Sequence, residues 1–141
     1  MLQVAARAVL VPDKHAIQTP YSYVGAASSR YIIVRRDSDL FFIDFPTQNT
    51  AFRIDIGVPY LGEPGGIFEE AYYELHTDFA FRVELGDAPE AERVSRVPYT
   101  PLPGDPAGAY SVCFDGAILT CVENRLVLVY LDSLEWKVMN A

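Results

Sequence analysis

The longest regular pattern in the chain covers residues 73–85, YELHTDFAFRVEL, where apolar and polar positions alternate without a break. The odd positions carry apolar side chains and Thr77, whereas the even positions carry Ala80 and five charged or ionisable side chains. A period of two is that of a β-strand with one buried face. We therefore predict one long, half-buried strand over residues 73–85.

Shorter alternations and apolar runs, separated by turn-forming residues, predict further strands. These lie at residues 2–11, 30–36, 40–45, 52–58, 109–114, 117–122, 126–131 and 134–139, with a short edge strand at 94–99. The runs LFFIDF (40–45) and LVLVYL (126–131) are apolar on both parities, which predicts a central, covered position in a sheet.

These elements predict a mainly β fold, an antiparallel sandwich or partly open barrel of about eight or nine strands. Apolar residues at helical spacing also favour one short helix near residues 67–75. A length of 141 residues is about that of one domain, so we expect a single domain over residues 1–141.

The formal net charge of −8 argues against a nucleic-acid partner and favours a basic protein partner. Residues 1–12, MLQVAARAVLVP, alternate and contain Arg7, unlike the continuous apolar region of a secretory signal. No apolar run approaches the roughly 18 residues of a membrane span. We therefore expect a soluble, cytoplasmic protein that does not bind membranes.

The cysteines, Cys113 and Cys121, flank an Asp-Gly pair at 115–116 that predicts a two-residue hairpin turn. In that register Cys113 faces Ile118 and Phe114 faces Ala117, while Tyr110 faces Cys121. The two sulfur atoms then lie on opposite faces of the hairpin, too far apart for a disulfide. We predict two reduced thiols that pack as small apolar groups.

Glu74, His76 and Asp78 form the cluster with the clearest acid–base or metal-binding chemistry. On one strand the outer pair would lie about 13 Å apart, so a metal ion would need ligands from elsewhere in the chain. We interpret the cluster as a solvated polar strand face. Because nucleophile and phosphate-binding motifs are also missing from the sequence, we predict no catalytic residues, no metal and no cofactor.

Acidic residues dominate between Arg53 and Arg82, a stretch without Lys or Arg, and tyrosines are interspersed among them. Aromatic anchors inside a charged rim are typical of protein interfaces. The leading hypothesis is a non-enzymatic protein-binding domain, most concretely an acidic inhibitor or immunity-type protein that docks on a basic partner such as a toxin. The predicted partner-binding residues are Tyr60, Glu63, Glu69, Glu70, Tyr72, Tyr73, Glu74 and Asp78.

Two alternatives remain open from the sequence. One is a small-molecule-binding β-barrel or an enzyme with an aromatic-lined cavity, in which His76 and a carboxylate are the polar groups. The other is a structural subunit of a phage-like assembly.

Overall fold

The computed structural model describes residues 23–139 of the chain, and the side chains of all of these except residues 107–110. This part of the chain is built almost entirely of β-strands, with a single 3-10 turn at Glu90–Glu92. The strands are β1 (Tyr23–Ala27), β2 (Tyr31–Arg36), β3 (Asp39–Asp44), β4 (Asn49–Asp55), β5 (Gly65–Phe68), β6 (Ala71–Leu75), β7 (Phe79–Glu84), β8 (Val94–Pro98), β9 (Ala107–Phe114), β10 (Ala117–Val122), β11 (Arg125–Tyr130) and β12 (Trp136–Val138). The mainly β, antiparallel fold is confirmed. The described residues contain twelve strands, more than the eight or nine expected.

Every strand pairs with its neighbour in the sequence, so the described residues form three four-stranded meanders. We name them sheet A (β1–β4), sheet B (β5–β8) and sheet C (β9–β12). Their first strands begin 42 residues apart, at Tyr23, Gly65 and Ala107. None of the three sheets closes into a barrel. Four-stranded meanders repeated at such a period are also the units from which β-propellers are built.

The chain divides into two compact units, Met1–Tyr60 and Leu61–Ala141. The described part of the first unit contains sheet A, in which β2 and β3 form the predicted hairpin. The run Leu40–Ile43 of β3 is buried on both faces of the sheet, as its two-sided apolar pattern predicts. Whether both units belong to a single domain stays a prediction.

The second unit contains sheets B and C, which share one apolar core and give a sandwich-like arrangement. The core residues are Ala71, Tyr73, Leu75 and Ala80 from sheet B and Ile118, Val122, Val127 and Val129 from sheet C. The C-terminal meander has the predicted order, with β10 and β11 at its centre. The edge strand predicted at 94–99 is β8.

The strand predicted over residues 73–85 is wrong as a single element. A turn through residues 76–78 separates β6 from β7, and Leu75 pairs with Ala80. Because the chain reverses here, the even-numbered residues of β6 and the odd-numbered residues of β7 lie on the same face of the sheet. Glu74 therefore lies opposite Phe81 and is not on a solvated face. The alternation therefore does not report which face is buried, because all five residues of β6 are buried.

The short helix predicted near residues 67–75 is replaced by the hairpin of β5 and β6. Ile67 pairs with Tyr72 and Phe68 pairs with Ala71, and these pairs account for the apparent helical stripe. Glu69 occupies the turn with φ of 55°, in the left-handed region that a two-residue hairpin turn requires.

The hairpin around residues 115–116 has the predicted register at its turn, with Cys113 opposite Ile118 and Phe114 opposite Ala117. A bulge beyond Leu119 then places Ala107, and not Tyr110, opposite Cys121. Both thiols are free. They lie on opposite faces of sheet C, because Cys113 packs on the shared core while Cys121 pairs with the half-exposed Leu126.

The strand predicted at residues 2–11 lies outside the described residues. Within the described part, no helix is both long and apolar enough to cross a membrane.

Candidate functional site

The eight predicted partner-binding residues do not form one surface. Glu69 and Glu70 are exposed in the β5–β6 turn, at one end of sheet B. Asp78 is exposed in the β6–β7 turn, at the opposite end of the same sheet. Tyr60 belongs to the other unit, where its ring lies 5.6 Å from that of Tyr23.

Three of the predicted residues are in the interior. The exposed fractions are 0% for Tyr72, 8% for Tyr73 and 0% for Glu74. Tyr73 belongs to the core between sheets B and C, and its hydroxyl accepts a hydrogen bond of 3.2 Å from Arg82 Nε. A partner that docks on the folded protein therefore cannot use either tyrosine as an anchor.

The remaining predicted residue, Glu63, joins Glu74 and His76 in a compact cluster. His76 Nε2 lies 3.0 Å from Glu74 Oε1, and His76 Nδ1 lies 3.8 Å from Glu63 Oε2. The His76 side chain is only 11% exposed. The interpretation of Glu74 and His76 as a solvated strand face is therefore wrong, and the additional residue comes from the loop before β5.

Backbone pairing at the end of β6 brings this loop to the cluster. The Leu75 amide donates to the Pro64 carbonyl at 2.9 Å, which places Glu63 beside the residue that follows β6. The His76 amide donates to the Phe79 carbonyl at 2.9 Å and closes the turn. Sequence spacing alone could not reveal Glu63, because an eleven-residue separation from Glu74 carries no recognisable motif.

Aromatic side chains fix the imidazole of His76. Its ring stacks on Phe79 at 4.7 Å with an interplanar angle of 4°, and meets Phe81 edge-on at 5.4 Å. The Tyr99 hydroxyl donates to the His76 carbonyl. Burial, followed by the negative charge of Asp78, raises the pKa of the Tyr99 hydroxyl well above its usual range, so Tyr99 remains a hydrogen-bond donor.

The cluster opens into a cleft of about 230 Å³ in the second unit. The lining residues are Leu61, Glu63, His76, Thr77, Asp105 and Pro106. The Thr77 hydroxyl donates to Asp105 Oδ1 at 2.6 Å. The cleft therefore presents carboxylate and imidazole groups to solvent.

A separate acidic patch lies at the end of sheet B that carries the β5–β6 turn. The Leu85 amide donates to the Glu70 carbonyl at 2.8 Å, so this turn adjoins the β7–β8 connection. Arg93 holds that connection together by donating to the carbonyls of Glu84, Gly86 and Ala88 at 2.8, 3.0 and 3.1 Å. The exposed carboxylates of the acidic patch belong to Glu69, Glu70, Asp87, Glu90 and Glu92.

The most distinctive surface is the face of sheet C that points away from the core, which we call the outer face of sheet C. Strand register places three rows of side chains there: Phe114–Ala117–Tyr130, Val112–Leu119–Leu128–Lys137 and Cys121–Leu126. Its large exposed side chains are Val112 (55%), Phe114 (47%), Leu126 (48%) and Tyr130 (36%). Leu119, Cys121 and Leu128 between them are half-buried. The result is a contiguous apolar surface on β9, β10 and β11, with Lys137 of β12 at its edge.

Turns of sheet C surround this face with charge. The exposed acidic residues of these turns are Asp115, Glu123, Asp132 and Glu135. The exposed basic residues are Arg125, at the start of β11, and Lys137 in β12. The sequence already contained a sign of this surface, because residues 126–131 are apolar on both parities. That pattern predicted burial on two faces, whereas the structure covers only the face toward sheet B.

Comparison with known proteins gives a likeness of fold. No family model matches the chain, and no curated protein does so. A chain in the structure described as S. cerevisiae Dbp5 bound to Nup159, Gle1, IP6 and ADP aligns with a TM-score of 0.56 and 8% identity. The alignment covers 86% of this chain and 35% of that chain, so this protein spans about a third of its length. BamB from Moraxella catarrhalis aligns with a TM-score of 0.41 and 9% identity over 82% of this chain and 52% of BamB.

Proposed function

We propose that the protein is a non-enzymatic protein-binding domain that uses the outer face of sheet C. The observation that carries this proposal is the contiguous apolar surface formed by Val112, Phe114, Leu126 and Tyr130. Single exposed apolar residues are ordinary on protein surfaces, whereas contiguous apolar patches with a polar border mark protein interfaces. The exposed aromatic rings of Phe114 and Tyr130 are suited to act as anchors.

Charge indicates the kind of partner. The outer face and its rim together hold four exposed acidic residues and two exposed basic ones, and the whole chain has a formal charge of −8. A partner with an apolar patch bordered by Lys and Arg would complement this surface. Exposed carboxylates elsewhere, including the acidic patch of sheet B, would increase the rate of encounter with such a partner.

An inhibitor or immunity-type activity against a basic toxin is the most concrete form of this proposal. In that form the protein covers a cleft that normally binds an anionic substrate, and the acidic rim competes with that substrate. The partner-binding role predicted for Glu69, Glu70 and Asp78 changes accordingly. These residues would speed the encounter with the partner, whereas the outer face of sheet C would supply the anchoring contacts.

The test begins with capture of the partner from the native host by the immobilised protein. The informative variant carries Phe114→Ser and Leu126→Ser, which removes apolar area from the outer face without changing charge. Leu61→Ser is the matched control, because Leu61 is 83% exposed and lies outside sheet C.

A protein captured by the wild type and by Leu61→Ser, but not by the double variant, would support the proposal. The purified binary complex should then show a basic partner and a 1:1 interaction. Equal capture by all three proteins would overturn the outer face as the binding surface. Self-association that the double variant abolishes would identify a second copy of the chain as the occupant and would favour the structural-subunit alternative.

A further inference from the structure

We propose that His76 and Glu63 bind one divalent cation of the zinc type at the cleft, with Glu74 as the buried carboxylate that orients the imidazole. This inference is independent of the proposed protein-binding function. It begins from the fact that one potential ligand atom from each of Glu63, Glu74 and His76 lies within 4.8 Å of the other two.

Glu74 determines which nitrogen of His76 faces the cleft. Its Oε2 accepts from the Tyr72 hydroxyl at 2.8 Å, and its Oε1 lies 3.0 Å from His76 Nε2. Because a carboxylate only accepts hydrogen bonds, His76 Nε2 is the donor in the second contact. The lone pair of a neutral imidazole is then on Nδ1, the nitrogen nearer Glu63.

The distance between His76 Nδ1 and Glu63 Oε2 is 3.8 Å, too long for a hydrogen bond. It suits two ligands of one ion, since metal bonds of about 2.0–2.2 Å place neighbouring tetrahedral ligands about 3.4 Å apart. A cation between His76 Nδ1 and Glu63 Oε2 would be bound by both atoms.

The surrounding structure holds both ligands in place. The Leu61 amide donates to Glu63 Oε1 at 2.8 Å and leaves Oε2 toward the ring. Stacking on Phe79 fixes the plane of the imidazole. A histidine that donates its second ring N–H to a carboxylate is the usual arrangement behind zinc, so Glu74 has the role of that supporting carboxylate.

The cleft gives the site access to solvent. Asp105 lines the same cleft, where its Oδ1 accepts a hydrogen bond from Thr77. Water can complete the coordination on the open side. An imidazole combined with carboxylates, without thiolate, favours zinc or a similar ion over Mg²⁺ and Ca²⁺, which prefer oxygen ligands alone.

The test uses the full chain, stripped with a chelator and titrated with Zn²⁺ by calorimetry, with metal content measured after dialysis. We expect one ion per chain and a rise in melting temperature on loading. Glu63→Gln and His76→Gln should each weaken binding at least about tenfold, and Glu74→Gln about 10–100-fold. Asp78→Asn is the matched control, because its exposed carboxylate lies two residues from His76 but outside the cluster; it should bind as the wild type does.

Glu63→Gln keeps the test decisive if the buried Glu74 variant fails to fold, since the Glu63 side chain is 15% exposed and replaceable without opening the core. Absence of stoichiometric Zn²⁺ binding by the wild type would overturn the proposal. Binding that survives both Glu63→Gln and His76→Gln would overturn it as well, because the ion would then lie at another site.

Discussion

At the scale of single residues, a buried arginine stabilises sheet A. Arg35 is 0% exposed, and its guanidinium donates to the carbonyls of Asp37 and Val58 at 2.8 and 2.7 Å. These bonds connect β2 to the loop after β4. A buried guanidinium needs hydrogen-bond acceptors, and these carbonyls provide them. In turn, the hydrogen bond from Arg35 holds the loop after β4 in place.

We expect Arg35→Met to lower the free energy of unfolding by about 3 kcal/mol, since the hydrogen bonds of a buried charged group to two partly buried carbonyls are lost. Denaturant unfolding measures this change. Arg36→Met is the control: Arg36 is 29% exposed and its pair with Asp39 is long, at 4.0 Å, so its loss should cost less than about 1 kcal/mol. Similar costs for the two variants would contradict the account of Arg35.

The Cys113 thiol provides a second test at this scale. Burial raises the pKa of Cys113, while a weak contact with the Ile67 carbonyl lowers it slightly. Since the thiolate is the reactive form, alkylation of a Cys121→Ser variant at pH 8 should be at least about tenfold slower for the native than for the urea-unfolded protein. Equal rates would show that Cys113 is not protected by the core.

The sequence could identify the chemistry of Glu74 and His76 but not their environment. Their spacing on a strand predicted only that a metal site would need ligands from elsewhere in the chain. The third group, Glu63, is brought in by the backbone pair between Leu75 and Pro64. Such a contact depends on tertiary structure and has no local signature.

At the scale of elements, β5 lies against sheet C with little free space. A Cβ placed on Gly66 would lie 2.6 Å from Cys113 Sγ and 3.2 Å from Ile118 Cδ1. This close approach explains a glycine inside a strand, where the lack of a side chain otherwise weakens packing.

Gly66→Ala should therefore lower the free energy of unfolding by about 1–3 kcal/mol through overpacking. Addition of Cys113→Ala removes the sulfur atom and should recover about half of that loss, a coupling that a double-mutant cycle measures. Gly86→Ala is the control, because its Cβ would meet Glu84 Oε1 at an ordinary 3.5 Å. Additive effects of Gly66→Ala and Cys113→Ala would contradict the proposed contact.

The strands of this protein could be predicted where turn formers separate them, as for β2, β3 and the whole of sheet C. The prediction failed where a turn was hidden inside an alternating pattern, at residues 76–78, because β6 is buried on both faces and its polarity carries no information about burial. The helix predicted near residues 67–75 was wrong for a related reason. A two-residue hairpin turn also brings apolar residues together that are three to five positions apart in the sequence, as Phe68 and Ala71 are.

At the scale of the whole molecule, three meanders repeat in the described residues without a sequence repeat that reveals them. Each four-stranded sheet has two faces, and repeated sheets bury their apolar faces against one another. Sheets B and C do this through their shared core. The outer face of sheet C has a composition close to that of such a covered face but is exposed, and for this reason we propose it as a binding surface.

The most direct test of that assignment is the kinetics of the captured binary complex, measured as a function of salt concentration. We predict that the wild-type association rate falls as salt rises, because screening acts on exposed charges beyond about 8 Å at physiological ionic strength. The Phe114→Ser, Leu126→Ser double variant should associate at a similar rate but dissociate at least about tenfold faster, while Leu61→Ser should match the wild type. A folded double variant with an unchanged dissociation rate would contradict the binding role of the outer face of sheet C.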